Sequence, residues 1–414
     1  MDNLEEILKN PEKILFLDIE TTGLSRVYDQ VTLIGYDANN SFSYHVQGDH
    51  LKSFEKALSE AHAIVTFNGK CFDVKFLQYH FPDLKFPEHH IDLRYLMRRV
   101  GHAGGQKAIE VQLGLRREED LKNVTGYEAV ILWHEYRRGN EESLKKLVKY
   151  NHADVQGMKY MLAYALEKQG FKVPKIIKQR SQFKDIAKKR SVERPKPAIY
   201  ANDLWKKVKK PHGAIIGIDI TGSELRPSGF AILESDNKVT TRQVMTDREI
   251  VKLCREAKPL VVSIDSPFGI PKGRKSCFDD DPGRAEFGIM RWAERELKRR
   301  GVNVYPCLIP SMQRLTARGM KIAKTLRKHG IKVIESYPGA AQDIMQIPRK
   351  RAGLSYLKDG LKEFGIKDGH WYKENVSHDE LDAITSAIVG LFFLSGKYEA
   401  LGNEDEEYLI IPKI

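Results

Sequence analysis

KILFLDIE, residues 13–20, is an apolar run that closes on two acids. Ile14 to Leu17 form the uninterrupted hydrophobic stretch expected of a strand covered on both faces. Side chains two apart on a strand share a face, so Asp18 and Glu20 project together while Leu17 and Ile19 point into apolar packing. Working outward, VTLIGYDA (31–38) and SFSYHV (41–46) predict a hairpin around Asn39-Asn40, residues that tolerate positive φ. A helix near 53–61 then leads into a strand at 63–68, and helical patterns dominate to about residue 169.

The same order returns after residue 212. GAIIGIDI (213–220) is a second buried strand, and SGFAILES (228–235) with KVTTRQVM (238–245) a second hairpin. A helix at 247–256, the strand PLVVSIDS (259–266), a helix at 284–300, a strand at 332–336 and a long helix at 376–394 complete it. Strand, hairpin, helix, strand, helices is the order of the ribonuclease H-like α/β fold, a mixed sheet with helices packed on it. The expectation is two such domains in tandem, at 1–170 and 213–414, joined by a basic linker at 171–212.

Length and composition agree with this. At about 150 residues per domain, 414 residues suggest two or three domains. The longest apolar run, 383–394, holds Thr385, Ser386 and Gly390 and is well short of the roughly 20 residues of a membrane span. The first residues, MDNLEEILKN, are acidic where a signal peptide is basic. Cys71, Cys254, Cys277 and Cys307 form no CxxC pair. Membrane, secreted and zinc-finger classes are excluded on this reading, and a cytoplasmic location is expected.

The charge is uneven. Residues 172–210 hold 14 Lys or Arg against three acids, so eleven of the chain's +12 net charge falls in this stretch. A polyanion partner explains such a run through counterion release; a linker kept soluble by its charge is the plainer alternative. Lys188, Lys189, Arg190, Lys206, Lys207, Lys209 and Lys210 are the candidate nucleic-acid contacts, with Trp205 among them as a base-stacking candidate.

Two carboxylates side by side repel, and Mg²⁺ or Mn²⁺ is the hard cation that suits their oxygens. A bare DxE could equally be two solvated acids at a strand end. More acids join it: Asp73 in FNGKCFDVKFL opens a helix after a strand, and Tyr150 and Asp154 in KYNHADV share a helix face four residues apart. Together, FLDIETTGL, FNGKCFDVKFL and YNHAD resemble the three motifs of DEDD-type 3′→5′ exonucleases with Tyr in the third. The stretch GQKAIEVQLGLRRE to LVKYNHADV resembles the YprB-type members in particular. The resemblance implies two divalent metals held by Asp18, Glu20, Asp73 and Asp154, with Tyr150 orienting the attacking water. Lys70 and Asn68, beside the second motif, are candidate phosphate contacts. Asp92 is a further acid, weighted as structural.

In the second half Asp219 and Asp265 end strands, Asp379 and Asp382 share a helix face, and Glu335 is a fourth candidate. GIDITG, SIDSPFGIP, PSMQRLTARGM, VIESYP and HDELDAI are similar to a family of predicted nucleases with a RuvC-like core. That resemblance implies a metal site at Asp219, Asp265, Asp379 and Asp382, with Asp265 where the resolvases carry Glu. Arg274, Lys275, Arg284, Lys321, Arg349, Lys350 and Arg351 are either phosphate contacts or ordinary charged surface.

The function expected is a metal-dependent nuclease. Its first domain would act 3′→5′ on single-stranded DNA or RNA; its second would be another nuclease or a docking module. Two alternatives stay open: a structure-selective endonuclease driven by the second domain, and a largely non-catalytic nucleic-acid-binding repair factor. DNA-repair or RNA-processing proteins are the partners such a chain would have.

Overall fold

The computed structural model describes residues 4–121, 124–180, 195–209, 212–367 and 369–414, with backbone alone at 182–183. Lys188, Lys189, Arg190 and Lys210 lie outside the described residues. The chain divides into two units, Met1–Lys196 and Pro197–Ile414. Both are α/β, each a mixed sheet flanked by helices. Among the described residues no helix is long and apolar enough to cross a membrane.

The first unit has strands β1 (Ile14–Thr21), β2 (Val31–Ala38), β3 (Ser41–Val46), β4 (Ala63–Thr66), β5 (His89–Asp92) and β6 (Gln182–Phe183), in the order β5-β4-β1-β2-β3-β6. β1 pairs antiparallel with β2 and parallel with β4. The β2–β3 turn places Asn39 and Asn40 at φ 49 and 60, the left-handed geometry the dipeptide was expected to adopt. Its helices include α1 (Lys52–Glu60), α2 (Asp73–His80), α3 (Leu93–Arg99), α4 (Gln106–Gln112), α5 (Gly126–Arg137) and α6 (Glu141–Lys168).

Alternation along β1 divides the unit's core. Leu15, Leu17 and Ile19 pack with Phe54 of α1 and Phe76 and Leu77 of α2. Ile14 and Phe16 pack with Leu147, Val148, Val155 and Met158 of α6. Asp18 and Glu20 continue the second row, so they emerge beneath α6.

The second unit has β7 (Ile215–Asp219), β8 (Ser228–Leu233), β9 (Val239–Val244), β10 (Val261–Asp265), β11 (Val333–Ser336), β12 (Tyr398–Asn403) and β13 (Glu407–Pro412), in the order β12-β13-β11-β10-β7-β8-β9. Read from β9 to β11, this repeats β3-β2-β1-β4-β5, with the same antiparallel and parallel pairings. Its helices include α7 (Asp247–Ala257), α8 (Trp292–Arg299), α9 (Pro310–Lys328), α10 (Pro338–Ile344) and α11 (His378–Leu394). The single helix expected at 284–300 is interrupted, because Gly288 takes φ 71 between a short turn of helix and α8.

Residues assigned to a linker at 171–212 are in part core. Phe171, Val173, Ile176 and Ile177 pack on the first unit. Ala201, Leu204, Trp205 and Val208 belong to the core of the second. Trp205 is 6% exposed, so its ring is packed inside and is not a stacking platform.

Candidate metal centre

Asp18 stands on β1 in register with Gly35 of β2. The missing side chain at Gly35 lets α6 approach: a Cβ there would lie 1.6 Å from Asn151 Oδ1. Seated in that gap, Asn151 donates its amide to Asp18 Oδ2 at 2.7 Å and to Glu20 Oε1 at 3.3 Å. One turn on, α6 delivers Asp154. Ligand oxygens of Asp18, Glu20 and Asp154 all lie within 4.8 Å of one another.

Asp73 arrives from the other side of the sheet. It opens α2, whose Phe76 and Leu77 anchor the helix in the opposite core, and its Oδ1 accepts the Ile19 amide at 3.1 Å. Asp73 is thus tied to the backbone between Asp18 and Glu20, although it is not one of the three mutually close ligands. Tyr150, 5% exposed, lies one helical turn before Asp154.

Two cations flank this group that sequence reasoning did not single out. Arg117 donates to Glu110 through Nε (2.6 Å) and Nη2 (2.7 Å), and Nη2 also contacts Asp154 Oδ1. Lys107 Nζ sits 4.5 Å from the centroid of the Tyr150 ring. One signal was available: Glu110 occupies a buried position in α4, directly after the core residue Ile109, and a buried acid requires a partner.

The electrostatics follow from burial. The Asp18 carboxyl is held well above its ordinary range by desolvation, then by Asp154, Glu20 and Asp73. Glu20 rises for the same first cause, followed by Asp154. Asp73 is pushed up to about 7, again chiefly by burial. Asp154 is raised by burial, with Arg117 opposing. The four carboxyls outnumber the flanking Arg117 and Lys107, so the group cannot ionise fully without further positive charge. The donors are all carboxylate oxygens, the set suited to a hard divalent cation, so the residues fit Mg²⁺ or Mn²⁺.

The remaining first-unit candidates are structural or peripheral. Asp92 caps α3 and accepts the amides of Asn68, Lys70 and Arg94. Asn68 accepts Arg94 Nη1 at 2.7 Å. The Lys70 side chain is exposed.

In the second unit Asp219 and Asp265 are in-register neighbours on the parallel strands β7 and β10. Again glycines admit the helix. A Cβ at Gly217 would lie 1.9 Å from the Ala383 carbonyl, and one at Gly229 1.9 Å from that of Asp379. Asp382 accepts Gln342 Nε2 at 2.8 Å, with Lys350 Nζ 3.8 Å from its other oxygen. Asp379 pairs with His378 at 2.8 Å. Burial, then Asp265 and Asp382, hold the Asp219 carboxyl well above its ordinary range. Burial, then Asp382, does the same for Asp265. Among the described residues, no three ligand atoms here come as close as those of the first unit.

Glu335 does not join this set. It is in register with Ile264, so it faces away from Asp265, and both its oxygens take the buried Arg291 guanidinium at 2.5 and 2.9 Å. Several candidate phosphate contacts are likewise engaged within the protein. Arg274 is buried against Asp281 and three carbonyls. Arg284 pairs with Asp279, Lys321 with Asp247, and Arg349 with Asp343. Lys206 pairs with Asp203, while Lys207 and Lys209 are exposed.

No curated protein sequence matches the chain. Among solved structures it is similar to NrnC of Brucella melitensis bound to pGG, at 18% identity over 38% of this chain and 75% of that one, TM-score 0.27. It is also similar to Escherichia coli RNase D, an exoribonuclease involved in structured RNA processing, at 14% identity over 50% and 52%, TM-score 0.22. The family B DNA polymerase of the archaeon Pyrobaculum calidifontis matches at 13% over 97% and 53%, TM-score 0.32. Residues 15–166 match the family model described as RNase_H superfamily, and this part of the chain is ribonuclease H-like.

Proposed function

We propose that the first unit is a divalent-metal-dependent nuclease that removes nucleotides 3′→5′ from single-stranded DNA or RNA. The observation that carries this is the convergence of Asp18, Glu20 and Asp154 within 4.8 Å on a ribonuclease H-like sheet, with Asp73 tied to the same strand end. The order and content of the three motifs support the exonuclease direction.

Asp18, Glu20, Asp154 and Asp73 would hold Mg²⁺ or Mn²⁺. When bound, such ions supply an activated water and stabilise the charge that develops on the leaving oxygen. The chain's own residues do the rest. Asn151 fixes the Asp18 and Glu20 carboxylates relative to each other. Tyr150 keeps its proton, because burial and the neighbouring Asp154 push its phenol up; it orients water and does not act as the base. Arg117 balances Asp154 and Glu110, and Lys107 braces the tyrosine ring. In hydrolysis the water oxygen bonds to phosphorus, the phosphorus–O3′ bond breaks, and O3′ takes up a proton.

The test uses end-labelled single strands and closed single-stranded circles of DNA and RNA with Mg²⁺ or Mn²⁺. Stepwise shortening from the 3′ end of linear strands, with circles spared, is the expected result. Cutting of circles that survives Asp18→Asn/Glu20→Gln would instead assign the activity to the second unit.

A further inference from the structure

The solvent face of α3 is unlike that of an ordinary surface helix. Its exposed residues are Arg94, Tyr95, Arg98 and Arg99, while Leu93, Leu96 and Met97 are buried in the core beneath α6. A solvated helix face ordinarily intersperses charges of both signs, yet this one carries three cations and no acid. Among the described residues no ion pair joins any of the three arginines to a carboxylate; Arg94 Nη1 donates instead to the Asn68 side-chain oxygen at 2.7 Å. Tyr95, set among them, is 42% exposed.

This face adjoins the metal centre. Asp92 accepts the Arg94 amide at the start of α3 and also the amides of Asn68 and Lys70, so one carboxylate clamps α3 to the loop that leads into α2. The Tyr95 hydroxyl lies 3.5 Å from Cys71 Sγ. Cys71 is two residues before Asp73, a span of at most about 7 Å, and Asp73 accepts the Ile19 amide between Asp18 and Glu20. The loop 68–72 adds the exposed Lys70 and no acid. The two acids that bound this surface, Asp73 and Asp92, are buried and accept backbone amides. What faces solvent on α3 and this loop is therefore cationic and aromatic.

Exposed rings amid arginines hold single strands without sequence choice, because every base has a face to stack and every nucleotide a phosphate. We propose that α3 and the 68–72 loop form the track for the single strand next to the bond that breaks, with Tyr95 stacking on a base and Arg94, Arg98 and Arg99 contacting phosphates. Arg94 and Arg98, like Tyr95 and Arg99, are four apart and so neighbours on the helix surface, roughly 5–6 Å between Cβ atoms. Ring and cations thus form two adjacent rows along which a strand can lie. This inference rests on the nuclease reading of the first unit.

The test reads binding in EDTA, where no metal-dependent cutting intervenes. The full chain is titrated into single-stranded DNA carrying 2-aminopurine, moved one nucleotide at a time from the 3′ end; its fluorescence is quenched on stacking. Wild type and Tyr95→Phe should quench near the 3′ end. Tyr95→Ala should lose that quenching, and its affinity should fall about 5- to 150-fold, the range for one stacked base. Arg94→Gln/Arg98→Gln/Arg99→Gln should reduce the slope of log affinity against log salt by about 2, at about 0.7 per phosphate contact on a single strand. All four positions face solvent, so circular dichroism spectra should match the wild type. Quenching that persists in Tyr95→Ala, or a slope unmoved in the triple variant, would overturn the proposal, even where the wild type with Mg²⁺ shortens strands from the 3′ end. The expected losses in a chain that cuts no strand with either metal would uphold this surface and overturn the exonuclease reading instead.

Discussion

Asn151 Nδ2 reaches Asp18 Oδ2 at 2.7 Å and Glu20 Oε1 at 3.3 Å, so one amide bridges the two acids at the end of β1. The bridge exists because Gly35, opposite Asp18, leaves room for it. A methyl at Gly35 would collide with Asn151. Gly35→Ala should therefore cost about 1–3 kcal/mol of stability, the usual penalty for overpacking, and weaken Mn²⁺ binding. Adding Asn151→Ala should recover part of the stability but not the binding; denaturant melts and Mn²⁺ titration read the two effects separately.

The charge balance of the first site makes metal-free stability depend on pH. The folded pKa of Asp73, about 7, lies above the ordinary aspartate value near 4. The native state thus binds this proton more tightly than the unfolded chain. Below about pH 4 both states are protonated and nothing is lost. From there to about 7 the unfolded chain ionises first, so stability falls as pH rises and then levels off. The upward shifts of Asp18, Glu20 and Asp154 act in the same direction. In EDTA the melting temperature should fall across this window, and saturating Mn²⁺ or Asp18→Asn should flatten the slope.

Arg117 is the resident counter-charge. Its removal leaves Glu110 and Asp154 buried with no guanidinium between them. Arg117→Met should destabilise the metal-free chain by about 3–5 kcal/mol, the range for breaking one side of a buried pair. Mn²⁺ should restore more stability to this variant than to the wild type, because the cation takes over part of the compensation at Asp154.

Tyr150→Phe removes a hydroxyl and keeps the packing of a side chain that is 5% exposed. If the hydroxyl positions water, turnover should drop about 100-fold, comparable with the loss of one positioned hydrogen-bonding group. KM and Mn²⁺ affinity should change little. A melting temperature like that of wild type would separate this from a packing defect.

Much of this architecture is readable in the chain because local signals agree with the tertiary structure. The first three strands and the Asn39-Asn40 turn carry apolar runs and turn chemistry strong enough to place them within a residue or two. Asp18, Glu20 and Asp154 are legible because two sit on one strand face and the third at a helix spacing. The C-terminal hairpin β12–β13 and the short β5 lie outside the elements the patterning predicts; β5 is only four residues long, two of them histidines. Arg117 and Asn151 escape for another reason: the metal-centre acids they reach, Asp154 and Asp18, are 37 and 133 residues away, and no local periodicity encodes such pairs. Glu335 shows the cost of not knowing register. Chemistry favours the glutamate over its neighbour, yet the pleat turns it to Arg291 and presents Ser336 beside Asp265.

The most direct test of the central claim compares the wild-type chain with Asp18→Asn/Glu20→Gln/Asp154→Asn on 3′- and 5′-labelled single strands, with Mg²⁺, Mn²⁺ or EDTA. The expected result is metal-dependent shortening from the 3′ end by the wild type, abolished by EDTA and in the variant, while the variant keeps its circular dichroism spectrum. Cleavage that persists in the folded variant, or a wild type inert on every strand with either metal, would contradict the assignment of these three carboxylates as a catalytic metal centre.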